Sequence, residues 1–431
     1  MHRQCLILAD STEALVELCG ISLIERLLRT VQRCGFRQAI VLSSTPEVIT
    51  KHLSKPSWAR TELELSIRTR PSGPVSVKQI VDVWPDAVPT LLVLQGDTVL
   101  DTRLATLLAE QASATALVDS NVPLKMQPLV LSVPATSRGK LCGAALLKHD
   151  WASSQDLPLS RALCQGVDQG SLAVLDIATQ PLYSKEMRRE LRPLWFPAPA
   201  PANKKLAERI LLNSTQKGAL DLPAHLHAPI EQWLVSYLCR TSLRPNQLTG
   251  ICNIVAWIAT YLFATGHLVS GTAIALVVGI LDGLDGKQAR LKVETSKSGK
   301  REHWFDAIFE WSWWTALAYH FRTSGELPQA FGYLFLLLGA EAVDALAKAS
   351  VLFTYGKLID ELSPFDRLIR LVGGRRNIYI WILAVGVLSG NAAGAFVVMA
   401  WWEVVTAAVH IPRAIWAVWL QRRRLPADVA T

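Results

Sequence analysis

Apolar positions along the chain follow two regimes that change near residue 200. Before it, apolar runs of strand length, CLILA (5–9), AIVLSS (39–44) and TLLVLQGD (90–97), are separated by longer stretches. SLIERLLRTVQRCG (22–35), between the first two, has a helical period. Strand, helix and strand in this rhythm predict a parallel sheet with crossover helices, since parallel neighbours need a connection that returns along the sheet. CGAALL (142–147) and SLAVLDIA (171–178) are two further candidate strands. The proline-rich PLWFPAPAPANKK (193–205) reads as a stiff linker, and 206–243 as amphipathic juxtamembrane helices with Trp233 and Tyr237 suited to an interface. Six apolar stretches then recur at about 247–267, 270–290, 303–323, 328–354, 377–392 and 395–420, near the length that spans a bilayer. The predicted organisation is an α/β domain over 1–192, the linker, the juxtamembrane helices, and an all-α membrane domain of six transmembrane helices over 244–431.

Composition sharpens this division. Half of the 431 residues are apolar, and 11 of the 15 tryptophans fall after residue 230. The net charge of +8 lies mostly between apolar stretches, which suits anionic headgroups or phosphorylated substrates rather than nucleic acid. Six basic residues and one acidic residue occupy 287–301, five basic and three acidic occupy 355–376, and QRRR (421–424) follows the last stretch. The positive-inside rule makes both termini and these loops cytoplasmic. Seven scattered cysteines show no Cys-x-x-Cys and no zinc spacing, so reduced thiols are expected. The N-terminus is too short in its apolar part for a signal peptide.

ILDGLDGKQAR (280–290) puts carboxylates at the cytoplasmic end of the second apolar stretch. Asp282 and Asp285 are three apart and share a helix face, as do Asp306 and Glu310, four apart on the next helix. A short basic loop makes the two helices antiparallel, so the pairs reach the same depth. Bare, each carboxylate would cost about 2.5–3.5 kcal/mol in the bilayer. Divalent cations relieve that cost, and an all-oxygen donor set favours Mg²⁺ or Mn²⁺ over zinc. Gly286 permits close approach of a ligand, and Arg290 supplies a planar fork for phosphate. Carboxylates, arginine and glycine together point to a pyrophosphate held between cations, as in phosphoryl transfer.

The run D-x2-D-G-x2-A-R, with Gly299 nine residues beyond the arginine, resembles the signature of the CDP-alcohol phosphotransferase family, and RPNQLTG (244–250) is similar to the Pro-Asn-x-x-Thr opening that family's first membrane helix. The resemblance covers about 205–420. It implies two metal ions on Asp282, Asp285 and Asp306, and Glu310 as base on an acceptor hydroxyl. It also implies Asn246, Thr249, Gly286, Ala289, Arg290 and Gly299 on the CDP moiety. The family pattern continues G-x3-D-x3-D, which counted from Gly299 falls on His303 and Ala307. Two registers restore the acids: Asp306 and Glu310 with three extra residues, or Glu302 and Asp306 with one fewer. The first lies deeper in WFDAIFEWSWW and is favoured. An anionic acceptor would meet Lys348, Arg375, Arg376 or Arg413, of which Arg413, inside the last apolar stretch, is the best candidate; snorkelling explains Arg413 equally well, and snorkelling or loop charge explains the other three better. Trp311, Trp313 and Trp314 read as lipid-facing or core residues, and His303 as an interface histidine. The implied substrates are a CDP-alcohol such as CDP-diacylglycerol or a CDP-polyol, and a hydroxyl acceptor in phospholipid biosynthesis. A homodimer in a bacterial inner membrane is the implied assembly.

LCGISLIERLLRTVQRCGFRQAIVLSS (18–44) and QGDTVLD (95–101) resemble a Rossmann-like sugar-nucleotide nucleotidyltransferase domain, with Asp97 as a metal residue and Asp176 of LDIATQ (175–180) as a second carboxylate. Such fusions resemble bifunctional inositol-phosphate cytidylyltransferase/phosphotransferase proteins. Where that family carries a glycine-rich phosphate loop, this chain has ADSTEALVEL (9–18), whose Asp10 and Glu13 repel phosphate. The expectation is a phosphotransferase with a degenerate nucleotidyltransferase-like domain. Its rivals are a bifunctional enzyme that makes its own CDP-polyol and an ion-coupled secondary transporter.

Overall fold

The computed structural model describes residues 4–9, 12–54, 63–85, 88–218, 220–294 and 299–424; of 299–306 and 422–424 it describes the backbone alone. Two units divide the chain: Met1–Thr215 with Ser236–Ser242 and Ala289–Thr295, and Gln216–Val235 with Leu243–Gln288 and Ser296–Thr431.

The first unit is built on a mixed sheet. Its strands are β1 (Gln4–Leu8), β2 (Gln38–Ser43), β3 (Glu64–Thr69), β4 (Thr90–Gln95), β6 (Thr115–Asp119), β7 (Gly139–Lys148) and β8 (Ala173–Asp176), with a short strand, Ala135–Thr136, paired to β7 off the main path and β5 (Thr98–Leu100) outside the sheet. The order is β8-β6-β7-β4-β1-β2-β3. β1 pairs in parallel with β2 and β4, as the strand–helix–strand rhythm predicts, while β7 runs antiparallel to β4 and β6. The near-continuous apolar character of β1 and β4 follows from burial on both faces. β3 is an edge strand with a largely exposed, polar sequence, and for that reason left no apolar signal. Helix α1 (Leu23–Arg33) begins at Ser22, whose side chain accepts from Glu25 N.

The segment 193–205 is packed rather than a free linker. Trp195–Pro197 forms β9, antiparallel to β5, and Trp195 and Phe196 are 1% and 0% exposed. The apolar pair inside the proline run drives this burial and outweighs the prolines, which tolerate an edge position. Helix α2 (Lys204–Ser214) closes this stretch.

The second unit is helical: α3 (Leu222–Leu238), α4 (Pro245–Ala264), α5 (Leu268–Leu291), α6 (Gly299–Thr323), α7 (Ala330–Tyr355), α8 (Pro364–Val372), α9 (Arg376–Leu388) and α10 (Ala392–Arg424). Its core gathers Phe263, Trp313, Trp314, Phe321, Leu337, Phe396 and Met399, so two of the three tryptophans in the α6 run are core residues while Trp311 is exposed. Among the described residues four helices, α4, α5, α7 and α10, are long and apolar enough to cross a membrane; α8 and α9, bent by 42° at their junction, count as a fifth if taken as one span. Of the six spans read from the sequence, four or five therefore meet this criterion among the described residues. The remaining stretch, α6, has the length, but Asp306, Glu310 and Arg322 dilute its apolar character.

Candidate active site

The carboxylates near the C-terminal end of α5 meet their partners within the second unit. Asp282 accepts a hydrogen bond from Arg376 Nη2 at 2.5 Å, closing an ion pair between α5 and the start of α9. Asp285 accepts from Thr249 Oγ1 of α4 at 2.6 Å. The two aspartates share a face of α5, as their spacing requires, and each is fixed by a different neighbouring helix.

Asp282 lines a polar cavity of about 390 Å³. Glu310 of α6 lines it too, together with Lys348, Arg375 and Arg376, so one catalytic candidate, one ligand candidate and three acceptor candidates line one cavity. Arg376 also stacks over the Phe309 ring, 5.0 Å from its centroid, which orients the guanidinium plane.

Sequence reasoning missed the rest of this lining. Asp221, Glu341, Asp344, Arg370, Tyr379 and Glu403 belong to it as well. Asp344 is bound by His410 Nδ1 at 2.6 Å and by Lys348, and Glu403 accepts from Tyr379 Oη. Asp221 accepts from Asn377 Nδ2 at 3.2 Å. The usable signal was an ionisable side chain inside an apolar run, which marks Glu341, Asp344 and Glu403. Gly374, at the α8–α9 bend, also lines the cavity, and a Cβ there would overlap the Glu403 carboxylate and the Tyr379 hydroxyl.

Other candidates lie elsewhere. Arg413 is outside this lining and pairs with Asp366 at 2.6 Å, its guanidinium 5.0 Å from the Trp416 ring centroid. Asn246 is exposed on the first turn of α4, and Gly286 N donates to Asp285. Ala289 and Arg290 belong to the first unit, where Arg290 Nε donates to the Thr215 carbonyl at 2.8 Å. Gly299 opens α6. The side chains of Asp306, Glu302 and His303 lie outside the described residues, as does Asp10.

Among the described residues no three of His, Cys, Asp and Glu converge closely enough to hold a metal ion. The donor chemistry suits a hard divalent cation nonetheless. Asp282, Asp285 and Glu310 offer only carboxylate oxygen, and Asp282 already takes a cationic partner.

In the first unit, Asp97 lines a cavity of about 190 Å³ with Gln95, Thr98, Ser132, Gly143 and Trp195. Asp176 is not part of that lining; it accepts from Ser120 N and Oγ at 3.1 and 2.5 Å. Burial alone would raise the Asp176 pKa, but the bonds from Ser120 and Ala178 outweigh it and hold the carboxyl below its ordinary range. Asp119, at the end of β6, went unnoticed in the sequence. It is buried and accepts from Arg192 at 2.6 Å and from Trp195 Nε1 at 2.7 Å.

Comparison with known proteins finds similarity in both halves of this chain. The profile of a family described as CDP-alcohol phosphatidyltransferase matches residues 242–409. A protein of Rubrobacter xylanophilus named bifunctional IPC transferase and DIPP synthase is 24% identical over 418 residues, 88% of this chain and 87% of that one. One of the same name from Aquifex aeolicus is 23% identical over 53% of this chain and 51% of its own length. A solved inositol-1-phosphate CTP transferase from T. maritima aligns with 48% of this chain and 96% of its own at 13% identity, with a TM-score of 0.36.

Proposed function

We propose that the chain is a CDP-alcohol phosphotransferase, as the family match over residues 242–409 supports, and that its reaction takes place in the cavity shared by Asp282 and Glu310. The observation that carries this reading is that Asp282 of α5 and Glu310 of α6 line one cavity with Lys348, Arg375 and Arg376.

In the proposed reaction the acceptor hydroxyl gives its proton to a Glu310 carboxylate oxygen. Its oxygen forms a bond to the phosphorus that carries the alcohol, and the bond from that phosphorus to the CMP oxygen breaks, so CMP leaves with the electron pair. Asp282 and Asp285, with Asp306 as the third ligand, would hold two Mg²⁺ or Mn²⁺ ions, which supply charge neutralisation on the pyrophosphate when bound. Arg376 orients Asp282, and Lys348 and Arg375 offer charge to an anionic acceptor. Asn246, Thr249, Gly286, Ala289, Arg290 and Gly299 are the proposed CDP contacts. Phospholipid biosynthesis, a homodimer and a bacterial inner membrane with the site on its cytoplasmic side complete the reading.

A second activity, formation of the CDP-alcohol from CTP in the first unit, is favoured by the cavity around Asp97. Pyrophosphate release from CTP and a polyol phosphate tests it. For the main reading, purified protein in detergent is given a panel of CDP-alcohols and hydroxyl acceptors with Mg²⁺. CMP release that needs both substrates and stops with EDTA supports it; solute transport without CMP release points to a transporter instead.

A further inference from the structure

Helix α3 turns polar residues inward, against the helix that carries the candidate metal ligands. Gly279, Gly283 and Lys287 repeat every four residues along one face of α5, roughly 130° around the helix from Asp282 and Asp285. Along α3, His227 and Glu231 repeat with the same spacing and are 6% exposed each. The two rows interlock. Glu231 Oε2 meets Lys287 Nζ at 2.7 Å, and Lys287 is 3% exposed. Lys287 Nζ lies 3.4 Å from the Ala228 carbonyl. A Cβ on Gly283 would lie 2.5 Å from the Glu231 carboxyl carbon, and one on Gly279 would lie 3.2 Å from His227 Cε1. The glycines therefore let a buried ion pair sit directly against the α5 backbone. One residue further on, Gln288 Nε2 donates to the Leu243 carbonyl at 2.6 Å.

A buried ion pair is a poor device for stability alone, because desolvation offsets much of the attraction. It is a good device for fixing rotation and register, since any slip leaves a charge unpaired. Thr249 and Arg376 hold Asp285 and Asp282 on the other side of the same helix. We propose that Glu231 and Lys287 are positioning residues: they lock the rotation of α5 so that Asp282 and Asp285 present their carboxylates to the divalent ions. This rests on the metal-dependent transferase reading given above.

The test compares full-length wild type with Glu231→Gln, with Lys287→Gln, and with Glu231→Asp combined with Lys287→Arg, which keeps an ion pair of similar reach. Mn²⁺ binding is followed by electron paramagnetic resonance, amide exchange of α5 in metal-free protein by mass spectrometry, and CMP release by assay. Folded Glu231→Gln should bind Mn²⁺ about ten- to a hundredfold more weakly, as loss of a ligand-orienting partner does. Its α5 amides should exchange faster and its kcat should fall in step, while the Asp/Arg combination recovers to within about threefold. Should Glu231→Gln fail to fold, Lys287→Gln carries the same expectation at a smaller size. Unchanged Mn²⁺ affinity and α5 exchange in a folded single variant would overturn the positioning role. If wild type binds Mn²⁺ but releases no CMP with any substrate pair, the transferase reading fails, and the Mn²⁺ shift alone decides the role of Glu231.

Discussion

Arg376 Nη2 stands 2.5 Å from Asp282 Oδ2, tying the start of α9 to the carboxylate three residues before Asp285. The Arg376 side chain is 13% exposed and Asp282 34%, so the pair sits at a cavity edge where water screens it only in part. Truncation by Arg376→Ala should leave Asp282 without its orienting fork and lower kcat for CMP release by about ten- to a hundredfold. Arg376→Lys should fall between, because an ammonium cannot reproduce the planar fork. Steady-state kinetics on the two variants provides the check.

Thr249→Val removes the hydroxyl that donates to Asp285 while keeping the side-chain shape. The expected loss of thermal stability is small, about 1 kcal/mol. Mn²⁺ affinity should drop by about tenfold, since the ligand loses a side-chain donor that orients it. A variant with wild-type affinity would show that Asp285 needs no such donor.

In the first unit, Asp119→Ala should destabilise the fold by about 3 kcal/mol, because Arg192 and Trp195 Nε1 lose a fully buried acceptor. Asp119→Asn, which keeps one acceptor oxygen, should cost less. Urea unfolding followed by tryptophan fluorescence measures both.

Asp176 supplies a pH dependence with a definite sign. Its folded pKa is held down, so its contribution to stability is present above the unfolded carboxylate pKa of about 3.9 and is lost as pH falls through the folded value. Stability of the first unit should decline on acidification below about pH 4, and Ser120→Ala should flatten that decline. Thermal melts from pH 3 to 7 test this.

These residues also show where the sequence is legible. Strands β1, β2 and β4 and helix α1 announce themselves because buried strands are apolar throughout and α1 carries a cap. The Asp282–Asp285 pair is legible because its residue types and spacing have few structural uses in an apolar run. Asp119 and Asp221 are not, since a single aspartate at an element end looks like any cap. The Glu231–Lys287 pair was equally hidden: its partners lie 56 residues apart, 231 to 287, and only the glycine spacing on α5 hints at a close neighbour. The proline run misled because its prolines outweigh Trp195 and Phe196 in local pattern, whereas burial is decided by pairing with distant β5.

The most direct measurement is CMP release by wild type and by Asp285→Asn, side by side, with a CDP-alcohol, a hydroxyl acceptor and Mg²⁺. Wild type should release CMP only when both substrates are present, and the folded variant should release none above background. Equal CMP release by the two proteins, or none from wild type across the whole substrate panel, would contradict a carboxylate-centred phosphotransferase.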